Sequence, residues 1–155
     1  MDRRYAVAGG SALFVFLVDR ITKLWVVKSL AGRGPVEVTP FFNLVYVGNT
    51  GGAFGVAQHR GSSLFIVVSL FAVLVVLALL RKVREDSFIA PLSLGAILGG
   101  GVGNLLDRLI YGYVVDFLDF HIGGLHWPAF NLADSAIVVG VFAFALLYRP
   151  RGDRG

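Results

Sequence analysis

The sequence has no cysteine. That excludes disulfides, thiolate catalysis, cysteine-based zinc sites and lipid attachment through a cysteine of its own. Charge is also scarce: only 15% of residues are Asp, Glu, Lys or Arg, against about 25% in a soluble domain. There is no internal repeat and no low-complexity segment. What abounds is apolar. Hydrophobic residues are 56% of the 155, so the lipid bilayer is the implied solvent. The net charge is +4. The basic residues flank apolar runs instead of forming an aromatic-laced polar patch, which argues against nucleic acid as a partner.

A helix crossing the bilayer needs about 20 residues. Four apolar runs approach that length: 5–27, 64–80, 88–110 and 132–148. Backbone groups in lipid must be satisfied within their own segment, which favours helices. The expected fold is an all-α integral membrane protein of one domain, residues 1–155, with four transmembrane helices. Arg3 and Arg4 before the first run give it the look of a signal peptide. The run continues through Asp19, Arg20 and Lys23 into Leu24-Trp25-Val26-Val27 without a small-residue cleavage site. An uncleaved first helix is therefore expected.

Lys/Arg asymmetry sets the orientation. Arg3, Arg4, Arg81, Lys82, Arg84, Arg149, Arg151 and Arg154 fall on one side. Only Lys28, Arg33 and Arg60 fall on the other, over longer loops. Both termini are thus expected in the cytoplasm, with residues 28–63 and 111–131 outside. These outer segments are rich in β-branched and aromatic residues at 36–39, 41–47 and 114–120, punctuated by Gly48, Gly51, Gly52, Gly123 and Gly124. They read as short strands of a small extracytoplasmic β-sheet at the membrane surface. The alternative is irregular loops among lipid headgroups.

Polar side chains within the spans concentrate at one depth, the outer boundary. Asp19 and Lys23 lie four residues apart on one face of the first helix. Asn104, Asp107 and Arg108 end the third, Asp116 follows it, Asn131 and Asp134 open the fourth, and Asn49 sits in the first outer segment. Arg20 and Lys28 read as long cations that snorkel to headgroups. Short acidic chains gain little that way, and Asp116 and Asp134 have apolar or aromatic neighbours.

Two carboxyls in a partly dry site do not readily both ionise, so they share a proton and supply an acid and a base together. That is the chemistry of an aspartic protease, which needs neither metal nor cofactor. Asn104 and Asn131 are candidates to orient the pair or hold substrate backbone. Arg108 is a candidate to pair with Asp107 or to hold a carbonyl. Asp19 and Lys23 are candidates for a buried pair or a headgroup site. Gly95, Gly99 and Gly103 make a stripe for close helix packing, thickened by Gly100 and Gly101.

The set Asp19…Lys23, Asn49-Thr50-Gly51-Gly52-Ala53-Phe54, Gly103-Asn104-Leu105-Leu106-Asp107-Arg108, Val115-Asp116-Phe117 and Phe130-Asn131-Leu132-Ala133-Asp134-Ser135 resembles lipoprotein signal peptidase, or signal peptidase II. The motifs occur in that family's order, from the first helix to the fourth. The resemblance implies an aspartic endopeptidase of the bacterial inner membrane. Its substrates would be diacylglyceryl-modified prolipoproteins, cut on the amino side of the lipidated cysteine. It implies Asp116 and Asp134 as catalytic residues, supported by Asp19, Lys23, Asn49, Asn104, Arg108 and Asn131. It further implies an outer element over the site, membrane lipid as a partner and inhibition by globomycin-type cyclic peptides.

Three other readings compete. A small proton-coupled transporter would need a polar chain across the membrane, and the second run carries no ionisable group. A metal site from Asp116, Asp119, His121 and His126 has suitable ligand types, but the two aspartates fall on opposite faces of a strand. A non-catalytic membrane assembly protein accounts for the bundle but not for paired aspartates at one depth. Asp107, Asp119 and Glu37 fit structural or solvated roles under any of these.

Overall fold

The computed structural model describes residues 2–51 and 61–148. Gly52, Ala53, Phe54, Arg60, Arg149, Arg151 and Arg154, used above, lie outside the described residues. Among the described residues, four helices and four strands follow in the order α1 (Arg3–Leu30), β1 (Val36–Thr39), β2 (Phe42–Asn49), α2 (Gly61–Lys82), α3 (Ile89–Tyr111), β3 (Val114–Ile122), β4 (Leu125–His126) and α4 (Leu132–Leu147). The strands form an antiparallel meander in sequence order. The fold is therefore mostly helical with a small antiparallel sheet. The four helical runs and the three expected strands are all present, with no end moved by more than three residues; β4 is additional.

Helix α3 is the centre of the bundle and packs against α1, α2 and α4. Its glycines make this possible. A Cβ on Gly95 or Gly99 would run into the backbone carbonyls of Ala8 or Ala12 on α1. One on Gly100 would lie 2.6 Å from the Ala133 carbonyl on α4. From the α4 side, a Cβ on Gly140 would lie 2.9 Å from the Ser93 carbonyl on α3. Without a hydrophobic drive between helices in lipid, such close backbone approach is a main source of association. Pro91 sits in the first turn of α3, where no intrahelical N–H is lost.

Lipid suits the outer surface. Helix α2 is long and apolar enough to cross a membrane, and so is α3. Large side chains such as Phe14, Ile21, Val67, Phe71 and Leu74 are more than 60% exposed, a surface water would not tolerate on this scale.

Two backbone devices join bundle to sheet. Gly112 ends α3 in the left-handed region, φ 78°, its N–H donating to the Arg108 carbonyl. That cap turns the chain straight into β3. Gly123 and Gly124, φ 55° and 86°, make the two-residue turn of the β3–β4 hairpin, where both positions need positive φ. Gly48, expected as punctuation, lies inside β2 instead. There a Cβ would meet the Tyr113 ring at 3.0 Å.

The glycine stripe yields a contrast. Gly99→Val is expected to destabilise the bundle by about 1–3 kcal/mol through overpacking. At Gly101 a Cβ meets nothing within 4 Å, so Gly101→Ala should shift the melting temperature by no more than about 2 °C. Thermal unfolding in detergent, followed by intrinsic fluorescence, checks both; equal effects would refute the packing role.

Candidate active site

Asp116 lies on β3 and Asp134 in the first turn of α4. An isolated antiparallel bridge between Leu118 and Phe130 holds the two elements together. Phe130 N donates to Leu118 O at 3.1 Å, and Phe130 O accepts from Phe117 N and Leu118 N at 3.0 and 2.9 Å. The next residue, Asn131, caps α4. Its side chain accepts from Asp134 N at 2.9 Å, while Asp134 Oδ2 accepts from Asn131 N at 3.2 Å. This is a reciprocal capping box, a stabilising helix start. It also fixes the Asp134 carboxyl beside Asn131.

Asn131 then reaches across. Its Nδ2 donates to Asp116 Oδ1 at 2.7 Å, with longer contacts to Asn104 Oδ1 and Val115 O. Asn104 Nδ2 donates to Asp134 Oδ1 at 2.8 Å. Asn49 Nδ2 donates to Asp116 Oδ2 at 2.8 Å, and its own Oδ1 accepts from Gly51 N, which fixes the amide's direction. Every carboxylate oxygen of the pair therefore has one N–H donor. Asp116 is 2% exposed and Asn131 fully buried; Asp134 is half-buried.

Behind this layer sits a buried charge cluster. Lys23 Nζ lies 2.8 Å from Asp19 Oδ2, 2.9 Å from Asp107 Oδ2 and 2.8 Å from Asn104 Oδ1. Arg20 pairs with the other oxygen of Asp107. Asp19 Oδ1 accepts from Ala133 N at 3.1 Å, and Asp107 Oδ2 accepts from Val115 N at 3.3 Å. Asp19 and Lys23 are thus a buried pair, not a headgroup site. Gly103 makes room for it, because a Cβ there would lie 2.5 Å from Asp19 Oδ2.

Two expectations need correction. Arg20 does not reach for headgroups; a buried carboxylate offers a stronger partner. Arg108 does not pair with Asp107, whose oxygens are taken by Arg20, Lys23 and Val115 N. Its Nη1 donates to the Asn104 carbonyl of its own helix at 3.3 Å, its guanidinium lies over the Phe65 ring, and its buried Nε has no partner among the described residues. Arg108 and Asn104 line one end of a cavity of about 260 Å³ between α2, α3 and α4.

Arg20 and Asp107 belong to the wider site, although sequence reasoning gave them snorkelling and structural roles. The available signal was position: both lie at the same level of the bundle as Asp116 and Asp134.

The competing metal set is not assembled. Asp119 turns to Asn43 and His126, with Asn43 Nδ2 at 3.0 Å and His126 Nδ1 at 2.9 Å. The His121 and His126 rings stack at 4.9 Å, and among the described residues no three His, Asp or Glu side chains converge. Burial pushes the Asp119 carboxyl up, but the hydrogen bonds from His126 and Asn43 outweigh it and hold it below the usual range. Asp119 is a structural clasp of the sheet.

Asp116 behaves otherwise. Burial raises its pKa, the Asn49 hydrogen bond lowers it, and the neighbouring Asp134 charge raises it again; the result is about 6. Desolvation and a like charge are the two perturbations by which carboxyls are tuned for acid–base work.

The signal peptidase II family model matches residues 11–148. A lipoprotein signal peptidase of Burkholderia thailandensis is 47% identical over 152 residues, 94% of this chain and 90% of the relative. One from Thermodesulfovibrio yellowstonii is 46% identical over 134 residues, 86% and 88% of the two chains. Two solved structures described as a bacterial membrane enzyme share the fold. One has a TM-score of 0.79 at 27% identity, covering 94% of this chain and 95% of the other. The second has a TM-score of 0.75 at 26% identity, covering 90% and 85%.

A raised carboxyl pKa has a stability consequence with a definite sign. Folding favours the protonated Asp116, so its contribution is fully present below the unfolded value near 3.8 and is lost as pH rises through about 6. Asp116→Asn removes the ionisation. The variant should therefore be more stable than wild type at pH 8, by up to about 3 kcal/mol, and the gain should vanish near pH 4. Paired thermal melts across that range check it; a gain that grows toward acid would overturn the assignment.

Proposed function

The chain belongs to the signal peptidase II family, and from that premise we propose that it is an aspartic endopeptidase acting on diacylglyceryl-modified prolipoproteins. It cuts on the amino side of the lipidated cysteine and releases the signal peptide. Asp116 and Asp134 are its catalytic pair. The observation that carries this reading is Asn131, which joins them: its Nδ2 donates to Asp116 while its backbone N–H donates to Asp134.

The mechanism follows from one shared proton. With one carboxyl ionised and the other protonated, the ionised one takes a proton from water as the oxygen attacks the scissile carbonyl. The protonated one gives its proton to the carbonyl oxygen. Collapse of the tetrahedral species then needs a proton on the departing nitrogen, supplied by the carboxyl that first acted as base. Asn49, Asn104 and Asn131 keep the four oxygens oriented. Asp19 and Lys23 hold their elements in place. Arg108, whose Nε has no partner among the described residues, is a donor for substrate carbonyl or headgroup oxygen at one end of the 260 Å³ cavity.

The membrane placement supports the same reading. All four helices span. Helices α2 and α3 are long and apolar enough to cross. Helix α1 has 28 residues, and its costly Asp19 and Lys23 are buried and paired. Helix α4 is apolar but has only 16 residues, so its site end sits just inside the interface. Arg4 donates to the Arg81 and Val83 carbonyls. The N-terminus thus shares an end with the basic α2–α3 connection. By the positive-inside bias that end faces the cytoplasm, and dyad and sheet face outward, in the bacterial inner membrane. A diacylglyceryl anchor then holds the scissile bond at dyad depth, so positioning supplies much of the rate. Globomycin-type peptides would compete for the same groove.

Cleavage of a purified lipid-modified prolipoprotein by wild type, Asp116→Asn and Asp134→Asn, with chelator present, tests the proposal. Both variants should fold and lose about 10²–10⁴-fold or more in rate. Near-full activity in either one sinks the dyad, and loss of wild-type activity in chelator revives the metal alternative.

A further inference from the structure

The β3–β4 hairpin plays no part in the chemistry above, and its surface is unusual. Ile122 is 82% exposed, Leu125 81% and Trp127 69%. With Phe41, Phe120 and the two histidines they line an open cavity of about 570 Å³. From Phe120 to Ala133 there is no Asp, Glu, Lys or Arg. The one carboxylate nearby, Asp119, is satisfied internally by Asn43 and His126. The hairpin therefore offers large apolar groups and an indole with no charge among them.

We propose that this hairpin is an interfacial anchor, its Ile122, Leu125 and Trp127 seated in the outer leaflet at the level of phospholipid glycerol and upper acyl chain. The inference rests on the outward placement of the sheet proposed above. Three observations select lipid as the occupant. The tip is charge-free, so seating it at the interface desolvates no ionised group. It carries a tryptophan, a residue enriched at that depth. The sheet that carries it is also packed on α1, whose Leu24 and Trp25 are exposed apolar groups too.

The consequence concerns height. Asp116 and Ile122 lie on one strand, six residues or about 20 Å apart. The strand is clamped at the Asp116 end by Asn49 and Asn131 and at the middle by the Leu118–Phe130 bridge. A sheet standing upright would carry the apolar tip into water. A sheet laid along the surface seats the tip in lipid and fixes the level of the dyad relative to the glycerol backbone, where the substrate's own anchor lies.

The chain has two tryptophans, one in α1 and one beside the hairpin, which makes a direct test available. Trp25→Phe leaves Trp127 as the reporter, and Trp127→Phe leaves Trp25. Each protein is reconstituted in phosphatidylcholine vesicles with bromines on the upper or the deep acyl chain, and quenching by bromolipid is compared with quenching by aqueous iodide. Trp127 should lose about half its emission or more to the shallow bromines and be shielded from iodide, as befits a side chain about 5–10 Å deep. Quenching by iodide alone puts the hairpin in water and overturns the anchor. Shielding from both quenchers means protein covers it, a second copy for example, and overturns it equally. Trp25 separates the two readings: if bromolipid quenches Trp25 but not Trp127, the anchor fails and the spanning bundle stands. If it quenches neither, both fail.

Discussion

An ammonium group inside an apolar bundle has to be surrounded by acceptors, and the rest of the site depends on how Lys23 meets that demand. The lysine is 1% exposed. Leaving such a charge unpaired costs several kcal/mol. Its acceptors come from two helices: Asp19 on α1, Asp107 and Asn104 on α3. Arg20 brings the cluster to two cations and two carboxylates, so it closes without net charge. The carboxylates have oxygen capacity to spare, and they use it on backbone. Asp19 takes the N–H of Ala133 in the first turn of α4, and Asp107 takes the N–H of Val115, one residue before Asp116. The ion cluster thereby locates both elements that carry the dyad. Removing one partner would disturb α1, β3 and α4 together.

Local pattern made much of this legible from sequence. Apolar runs marked the helices, because lipid leaves the backbone few options. The Asp19–Lys23 pair was legible because four residues apart is one helix face. Asp116, Asp134 and the asparagines around them stood out as short polar side chains, and the structure brings them into one hydrogen-bond network. Arg20 was misread because its partner, Asp107, is 87 residues away, and nothing local reports that distance. Of the two roles open to Arg108, the pair with Asp107 does not form, because Arg108 adjoins Asp107 in sequence but projects from another face of α3. β4 was missed because two residues carry no periodicity, although the Gly123-Gly124 turn announced a hairpin.

The sheet shows how the same residue type is put to opposite uses. Asp116 and Asp119 are three apart on β3, so the two-residue period sends them to opposite faces. Asp119 meets an imidazole and an amide and serves as a clasp. Asp116 accepts from two amides and feels the charge of a second carboxyl, Asp134. Composition cannot separate these fates; only the pairing of β3 with β2 and with the start of α4 does.

The choice of amides around the dyad is itself informative. A cation hydrogen-bonded to either aspartate would orient it equally well, but would also stabilise its anion and drive off the proton an acid–base pair must share. An amide orients with far less of that bias. Here all four carboxylate oxygens receive N–H groups from asparagine side chains or backbone, and the Lys23 charge, already matched by Asp19 and Asp107, stands one layer back. The amides cannot turn over, because their own oxygens are engaged: Asn49 by Gly51 N, Asn104 by Lys23 and Asn131, Asn131 by Asp134 N. Burial then prevails over the two hydrogen bonds at Asp116, and its pKa settles near 6. The site is held rigid by charge at a distance, and kept titratable by neutrality at contact.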